Sequence, residues 1–336
     1  MNNFFKLLFL NSMIFGSLLA ISSYSWFSMW LGLEINLLSI IPLFNSYKNY
    51  FPSESALKYF ITQSMASTII LFSILNFTNK MEFLYFNDLF NQLSFNSAIL
   101  MKLGAAPFHF WFPEIMEGLN WLNNLILLTW QKLAPLVIVS YNIEKSMFFM
   151  FVIICSSLIG GMLGLNQISL RKIMAFSSIN HISWMLSSML ISNNIWLIYF
   201  IIYTLITISI ILIFNKLNIF YIFQLFNSNN QKKLINLMFM LIFLSLGGLP
   251  PFLGFFSKWI VIYGLILIKM YMISFLMIVL TLISLFFYLR LMFKSLMFSS
   301  NDSIFKTTKI KKYNFVILIT WNSIGLLASP LIFNFL

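Results

Sequence analysis

Apolar runs of about 20 residues alternate with short polar segments along nearly the whole chain. An α-helix needs about 20 apolar residues to cross the ~30 Å hydrocarbon core of a bilayer. Transmembrane β-strands would alternate apolar and polar residues, and these runs do not. The pattern therefore predicts an all-α polytopic membrane protein. About eleven spans are expected, at residues 5–22, 25–44, 57–77, 91–112, 121–141, 147–165, 168–190, 194–215, 234–268, 271–293 and 314–335.

The fourth and ninth spans carry helix-breaking residues near their centres. The fourth contains "LGAAPFHF" (103–110), and the ninth, too long for one straight helix, contains "LSLGGLPPFLGFFSKW" (244–259). Both stretches place Leu-Gly before proline and phenylalanine, and both have a lysine close by. Broken backbone at membrane depth is tolerated only where protein or a water-filled cavity satisfies it.

The two broken spans lie five spans apart and therefore run in opposite directions. This arrangement predicts two five-helix repeats of inverted topology within one membrane domain. The first repeat is expected at residues 1–145 and the second at 146–296, followed by a loop and a final helix at 297–336. Paired broken helices in inverted repeats mark an ion site near the membrane midplane.

The composition agrees with a membrane protein. Hydrophobic residues make up 60% of the chain and charged residues only 8%, whereas soluble domains have about 25% charged residues. The single cysteine, Cys155, provides no framework for a disulfide, an iron–sulfur cluster or a zinc site.

The basic residues are distributed unevenly between the two sides of the membrane. If the N-terminus lies inside, 14 of the 20 basic residues fall in inside segments and only Lys80, Lys145 and Lys269 fall outside. Loops on the inner side of a membrane carry an excess of Lys and Arg. The N-terminus is therefore expected inside and the C-terminus outside. The net charge of +12 then reflects topology beside anionic lipid and not nucleic-acid binding.

Four ionisable residues fall near the centres of predicted spans: Glu34, Lys102, Lys132 and Lys258. Each costs about 2.5–3.5 kcal/mol at a helix centre on insertion scales. Such residues face a bundle interior or a water-filled path and pair with one another. The alternatives are that the lysines extend to the interface, or that Glu34 forms a structural ion pair.

A buried glutamate and lysine can act together as a proton switch. Burial disfavours the charged form of lysine, and a nearby carboxylate restores it. A contact whose distance changes therefore holds or releases a proton. Glu34 is the only acidic residue at mid-membrane, so we pair it with Lys102 and assign Lys132 as the central relay.

His181 lies mid-span in "SSINHISWMLSS", among serine and asparagine residues that could hold water. A neutral imidazole can pass a proton between its two nitrogens. We therefore add His181 to the candidate relay. The alternative is a structural histidine whose ring nitrogens are hydrogen-bonded inside the protein.

The stretches "GLEINLLS", "MKLGAAPFHFWFPE", "TWQKLAPL", "SSINHISWMLSS" and "FLSLGGLPPFLGFFSKW" resemble the subunit 2 family of mitochondrial NADH:ubiquinone oxidoreductase, respiratory complex I. The likeness covers nearly the whole chain, and the composition resembles that of an insect mitochondrial product. This family is antiporter-like, and its animal members have eleven helices. The resemblance places the buried Glu–Lys pair of the family on Glu34 and Lys102. It also places the central lysine on Lys132, the histidine between half-channels on His181, and the lysine of the second broken helix on Lys258.

The resemblance implies proton translocation coupled to NADH:ubiquinone electron transfer, in the mitochondrial inner membrane and beside another antiporter-like subunit. The chain lacks a glycine-rich nucleotide-binding motif and cysteines for clusters. NADH, FMN, iron–sulfur clusters and ubiquinone are therefore expected in other subunits. Two alternatives remain open: a stand-alone cation/proton antiporter subunit, and a structural membrane subunit that transports nothing.

Overall fold

The computed structural model describes residues 2–45, 50–78, 85–143, 145–224 and 241–297. These residues are helical apart from their connections and one isolated antiparallel bridge between Ser169 and Tyr221. The last predicted span, 314–335, and residues 234–240 of the ninth lie outside the described residues. The helical fold class is thus confirmed, and the count of eleven spans stays a prediction.

The chain divides into two compact units, residues 1–144 and 145–336. Their interpretation as inverted repeats stays a prediction. The helices described in the first unit are α1 (Asn2–Ser22), α2 (Trp26–Phe44), α3 (Phe51–Thr78), α4 (Tyr85–Leu103), α5 (Trp111–Gly118), α6 (Trp121–Leu128) and α7 (Trp130–Asn142). Those of the second unit are α8 (Met147–Gly164), α9 (Leu170–Met189), α10 (Asn193–Leu217), α11 (Leu253–Leu267) and α12 (Tyr271–Met297). Residues 241–247 are also helical.

Seven segments of the described chain are long and apolar enough to cross a membrane. The α9 helix is not one of them, although a span was predicted at 168–190. Its first turn contains Arg171 and Lys172, and the helix carries buried serine, asparagine and histidine side chains. All its residues from Ile173 to Met189 are nevertheless buried, so α9 is surrounded by protein.

Glycine allows close helix contacts in each unit. A Cβ atom at Gly32 of α2 would lie 2.6 Å from the backbone nitrogen of Ala20 in α1. In the second unit, a Cβ at Gly160 of α8 would lie 2.8 Å from the backbone nitrogen of Asn180 in α9. Small residues at such positions let helix backbones approach closely, which drives helix association in membranes.

Both predicted helix breaks are present, and the two have the same hydrogen-bond pattern. Gly104 has a φ of 74° and Gly248 a φ of 78°. The N–H of each glycine donates to a carbonyl three residues earlier, and the next N–H donates to a carbonyl five residues earlier, Leu100 in the first break and Leu244 in the second. This Schellman motif ends a helix and favours glycine because the left-handed backbone strains other residues.

Candidate functional site

Three of the candidate residues lie in the first unit, on three different helices. Glu34 is on α2, Lys102 is in the last turn of α4 and Lys132 is in the first turn of α7. The lysines are only 8% and 2% exposed, respectively. Glu34 is partly buried, and within the described ranges its Oε1 has no hydrogen-bond partner. Buried ionisable groups of this kind normally have a functional reason to be retained.

Glu34 lies near Lys102 without forming an ion pair with it. Glu34 is the acidic residue close enough to act electrostatically on Lys102. In the described part of the chain, however, no ion pair within 4.0 Å joins the two residues, whereas Lys58 pairs with Glu54 and with Glu114, both at 3.1 Å. A carboxylate and an ammonium group that interact across a gap can move closer or further apart. This arrangement is compatible with a distance-controlled proton switch.

The first helix break contributes to the surroundings of Lys132. Its Nζ atom lies 5.3 Å from the centroid of the Phe112 ring, within the range of a cation–π interaction. Phe112 in turn packs on the break, because a Cβ at Gly104 would lie 3.3 Å from the Cβ of Phe112. The break thus helps to position a side chain that contacts the central lysine.

A network of uncharged polar groups surrounds these residues, and the sequence interpretation missed it. Gln131 of α7 donates its Nε2 hydrogen to Oδ1 of Asn36 on α2 at 2.7 Å. The hydroxyl of Tyr59 on α3 donates to Oε1 of Gln131 at 3.3 Å. One turn further along α3, Gln63 donates to the backbone carbonyl of Lys102 at 3.4 Å. The network therefore links α2, α3, α4 and α7.

The remaining two candidates lie in the second unit. His181 on α9 is 6% exposed, and its Nδ1 lies 2.8 Å from the hydroxyl oxygen of Tyr199 on α10. Its ring also packs beside Tyr203, with the centroids 5.0 Å apart. Tyr199, which forms this hydrogen bond, was absent from the candidate residues.

Lys258 on α11 binds directly to the second break. Its Nζ donates to the carbonyl oxygen of Gly247 at 2.8 Å and lies 5.9 Å from the centroid of the Trp184 ring. Helix ends leave their last carbonyls without intrahelical partners, so the break provides an acceptor for a buried cation. Trp184 follows His181 by three residues on α9, which places both on the same face of that helix.

Gly248→Ala is expected to displace Lys258. The added Cβ would lie 2.8 Å from Cδ and 3.0 Å from Nζ of the lysine, and alanine is strained at positive φ by about 1–2 kcal/mol. The lysine chain can move, so the protein should accumulate in reduced amount. If the chain translocates protons coupled to NADH oxidation, as the resemblance implies, the ratio of protons translocated to NADH oxidised should also fall. Gly247→Ala is the control, because its Cβ would meet Tyr288 at an ordinary 3.6 Å. An unchanged ratio in Gly248→Ala would show that the position of Lys258 is unimportant.

Buried lysines beside two interrupted helices, within a polytopic helical fold, define an antiporter-like membrane protein. The family model described as "NADH:quinone oxidoreductase/Mrp antiporter, TM" matches residues 23–284. The chain therefore belongs to this family, and within it to the NADH-ubiquinone oxidoreductase chain 2 group shown by its curated relatives.

Two of those relatives come from insects. The NADH-ubiquinone oxidoreductase chain 2 of Anopheles gambiae is 50% identical over 320 residues, covering 93% of this chain and 92% of the relative. That of Locusta migratoria is 47% identical, covering 91% and 90%. A chain of respiratory complex I from Thermus thermophilus with bound aureothin has a TM-score of 0.84 at 20% identity, covering 97% of this chain and 80% of that one. The similarity to the Thermus thermophilus chain concerns the fold.

Proposed function

We propose that this chain is a membrane-arm subunit of mitochondrial NADH:ubiquinone oxidoreductase and translocates protons during electron transfer. The family and the identity to curated relatives support membership of that complex. The observation that carries the transport role is the burial of Lys132, which is 2% exposed in the same unit as Glu34 and Lys102. The enzyme activity belongs to the whole complex, with the redox groups in other subunits.

The proposed relay uses the buried charges of each unit. In the first unit, movement of Glu34 relative to Lys102 changes how strongly the lysine holds its proton, and Lys132 passes the proton on. In the second unit, His181 and Lys258 are the residues that carry the relay. A lysine whose charged form is favoured only while a carboxylate is close can load and release one proton per movement.

The membrane placement follows from the charge distribution. The excess of basic residues in alternate segments supports an N-terminus on the matrix side and a C-terminus on the intermembrane-space side. Partners are other membrane-arm subunits, including a neighbouring antiporter-like subunit, and membrane lipids. NADH, FMN, iron–sulfur clusters and ubiquinone would bind elsewhere in the complex.

Glu34→Gln tests the assigned pair. Glutamine keeps the size of the side chain but removes the charge that acts on Lys102. We expect normal assembly and fewer protons translocated per NADH oxidised, measured in membrane vesicles. Glu54→Gln is the matched control, because Glu54 forms an exposed ion pair of a kind that contributes about 0–1 kcal/mol. If Glu34→Gln retains the wild-type ratio and pH dependence, the assigned pair is wrong.

A further inference from the structure

The contact between His181 and Tyr199 gives the buried histidine a defined hydrogen-bond geometry. Nδ1 of His181 and the hydroxyl oxygen of Tyr199 are 2.8 Å apart, and Tyr199 is only 1% exposed. The two residues lie on neighbouring helices, α9 and α10, of the same unit. A buried hydrogen bond of this length limits which atom carries the proton.

The serine residues of α9 do not compete for this contact. The hydroxyl groups of Ser177, Ser178 and Ser183 each donate to a backbone carbonyl three residues earlier. Tyr203, the other aromatic neighbour of His181, has a hydroxyl within interaction range of the side chain of Ser178. In the described part of the chain, the hydrogen-bond partner of the Tyr199 hydroxyl is therefore His181.

The hydrogen bond is compatible with two tautomers of His181. Either the hydroxyl of Tyr199 donates to Nδ1 and the neutral ring carries its hydrogen on Nε2, or Nδ1–H donates to the hydroxyl oxygen. A proton that moves along this bond therefore converts one tautomer into the other.

We propose that Tyr199 is a further proton-relay residue, which delivers a proton to the Nδ1 atom of His181 when the imidazole carries its hydrogen on Nε2. In the transfer, the O–H bond of Tyr199 breaks as the Nδ1–H bond forms, and the Nε2–H bond breaks as its proton passes to a water molecule. A hydronium ion gives a proton to the oxygen of Tyr199 and becomes water. One proton enters and one leaves, both residues end neutral, and rotation of the imidazole ring again presents an unprotonated nitrogen to the hydroxyl of Tyr199. This inference rests on the proposed function.

Tyr199→Phe tests the proposal in the assembled complex, because it removes one hydroxyl and keeps the ring. Protons translocated per NADH oxidised are measured alongside His181→Gln, with the amount of assembled complex taken from native gels. We expect normal assembly and a proton flux through this route that is reduced by at least about tenfold from the wild type, close to the flux of His181→Gln. Tyr199→His, which keeps an N–H donor on a shorter side chain, should recover part of the flux. A purely structural defect would lower assembly and leave the ratio unchanged.

Tyr203→Phe is the matched control. Tyr203 lies on the same helix, is 2% exposed and packs on the same imidazole, but its hydroxyl contacts Ser178. It should translocate protons as the wild type does, and an equal loss in both tyrosine variants would overturn the proposal. Wild-type pumping by Tyr199→Phe beside a deficient His181→Gln would overturn it while leaving the proposed function intact. Wild-type pumping by His181→Gln would contradict both the proposed relay role of His181 and this inference about Tyr199.

Discussion

Lys132→Met is expected to leave the complex assembled and to abolish the proton flux that this chain carries. Methionine is unbranched and apolar, so it can fill the volume of a lysine that is 2% exposed. Removing an ammonium group from a membrane interior also removes a desolvation cost. Stability should therefore be kept or increased. A positioned proton-transferring group typically contributes 10²–10⁴-fold, so the flux through this route should fall by about 100-fold or more.

The measurement for Lys132→Met is the number of protons translocated per NADH oxidised by a complex of normal size. Lys145→Met is the control, because Lys145 is exposed and its charge can be removed without disturbing a buried site. An assembled Lys132→Met complex with the wild-type ratio would contradict the transport role. It would favour the alternative in which the buried charges only fix helix packing.

Gly254→Ala is expected to have the largest effect on stability. A Cβ at Gly254, in the first turn of α11, would lie only 1.7 Å from the carbonyl oxygen of Ser245. This neighbour is backbone and also accepts the N–H of Gly248 at the break, so it cannot rotate away as a side chain could. Overpacking costs typically 1–3 kcal/mol and occasionally more, and we expect at least about 3 kcal/mol here.

The amount of assembled complex on native gels measures the effect of Gly254→Ala, and a nearly complete loss is expected. Gly161→Ala provides the control within α8. Its Cβ would meet its nearest neighbours at 3.4–3.5 Å, which is ordinary contact, and alanine favours the helix by about 1 kcal/mol over glycine. Normal assembly of Gly254→Ala would mean that the break is less tightly packed than the structure indicates.

The helix breaks could be predicted from sequence because they depend on local chemistry. Gly104 and Gly248 take up the left-handed conformation that ends each helix, and the nearby prolines disfavour its continuation. The buried charges could be found for a similar reason, since a lysine within an apolar run is conspicuous. Lys102, Lys132 and Lys258 are indeed buried, and their role in a proton relay stays a prediction.

Helix boundaries were harder to predict where polar side chains satisfy each other or the backbone. The α3 helix begins at Phe51, not at residue 57, and the Glu54–Lys58 pair at i,i+4 supports its polar first turns. The predicted fifth span is interrupted at Thr129, whose hydroxyl and N–H both donate to the carbonyl of Leu125. Threonine is not a strong helix breaker, so no residue in this stretch clearly signals an interruption.

Contacts between helices could not be predicted from the hydrophobic periodicity of the sequence. Gln131 meets Asn36 across 95 positions of sequence, and Tyr199 meets His181 across 18. Amphipathic spacing indicates which face of one helix is buried, but it does not identify the partner on another helix. The one available signal was position: Gln131 adjoins Lys132, and Asn36 is two residues from Glu34.

An ordered-water map of the assembled complex by electron cryo-microscopy tests the proton-relay account most directly. The expected result is ordered water within hydrogen-bonding distance of the candidate residues in each unit. Glu34 is the most informative position, because its buried Oε1 has no hydrogen-bond partner among the residues that the structure describes and should bind water on the path to Lys102 and Lys132. His181 and Lys258 should be linked in the same way. Apolar side chains filling the space around these five residues, with no water bound to them, would contradict the account.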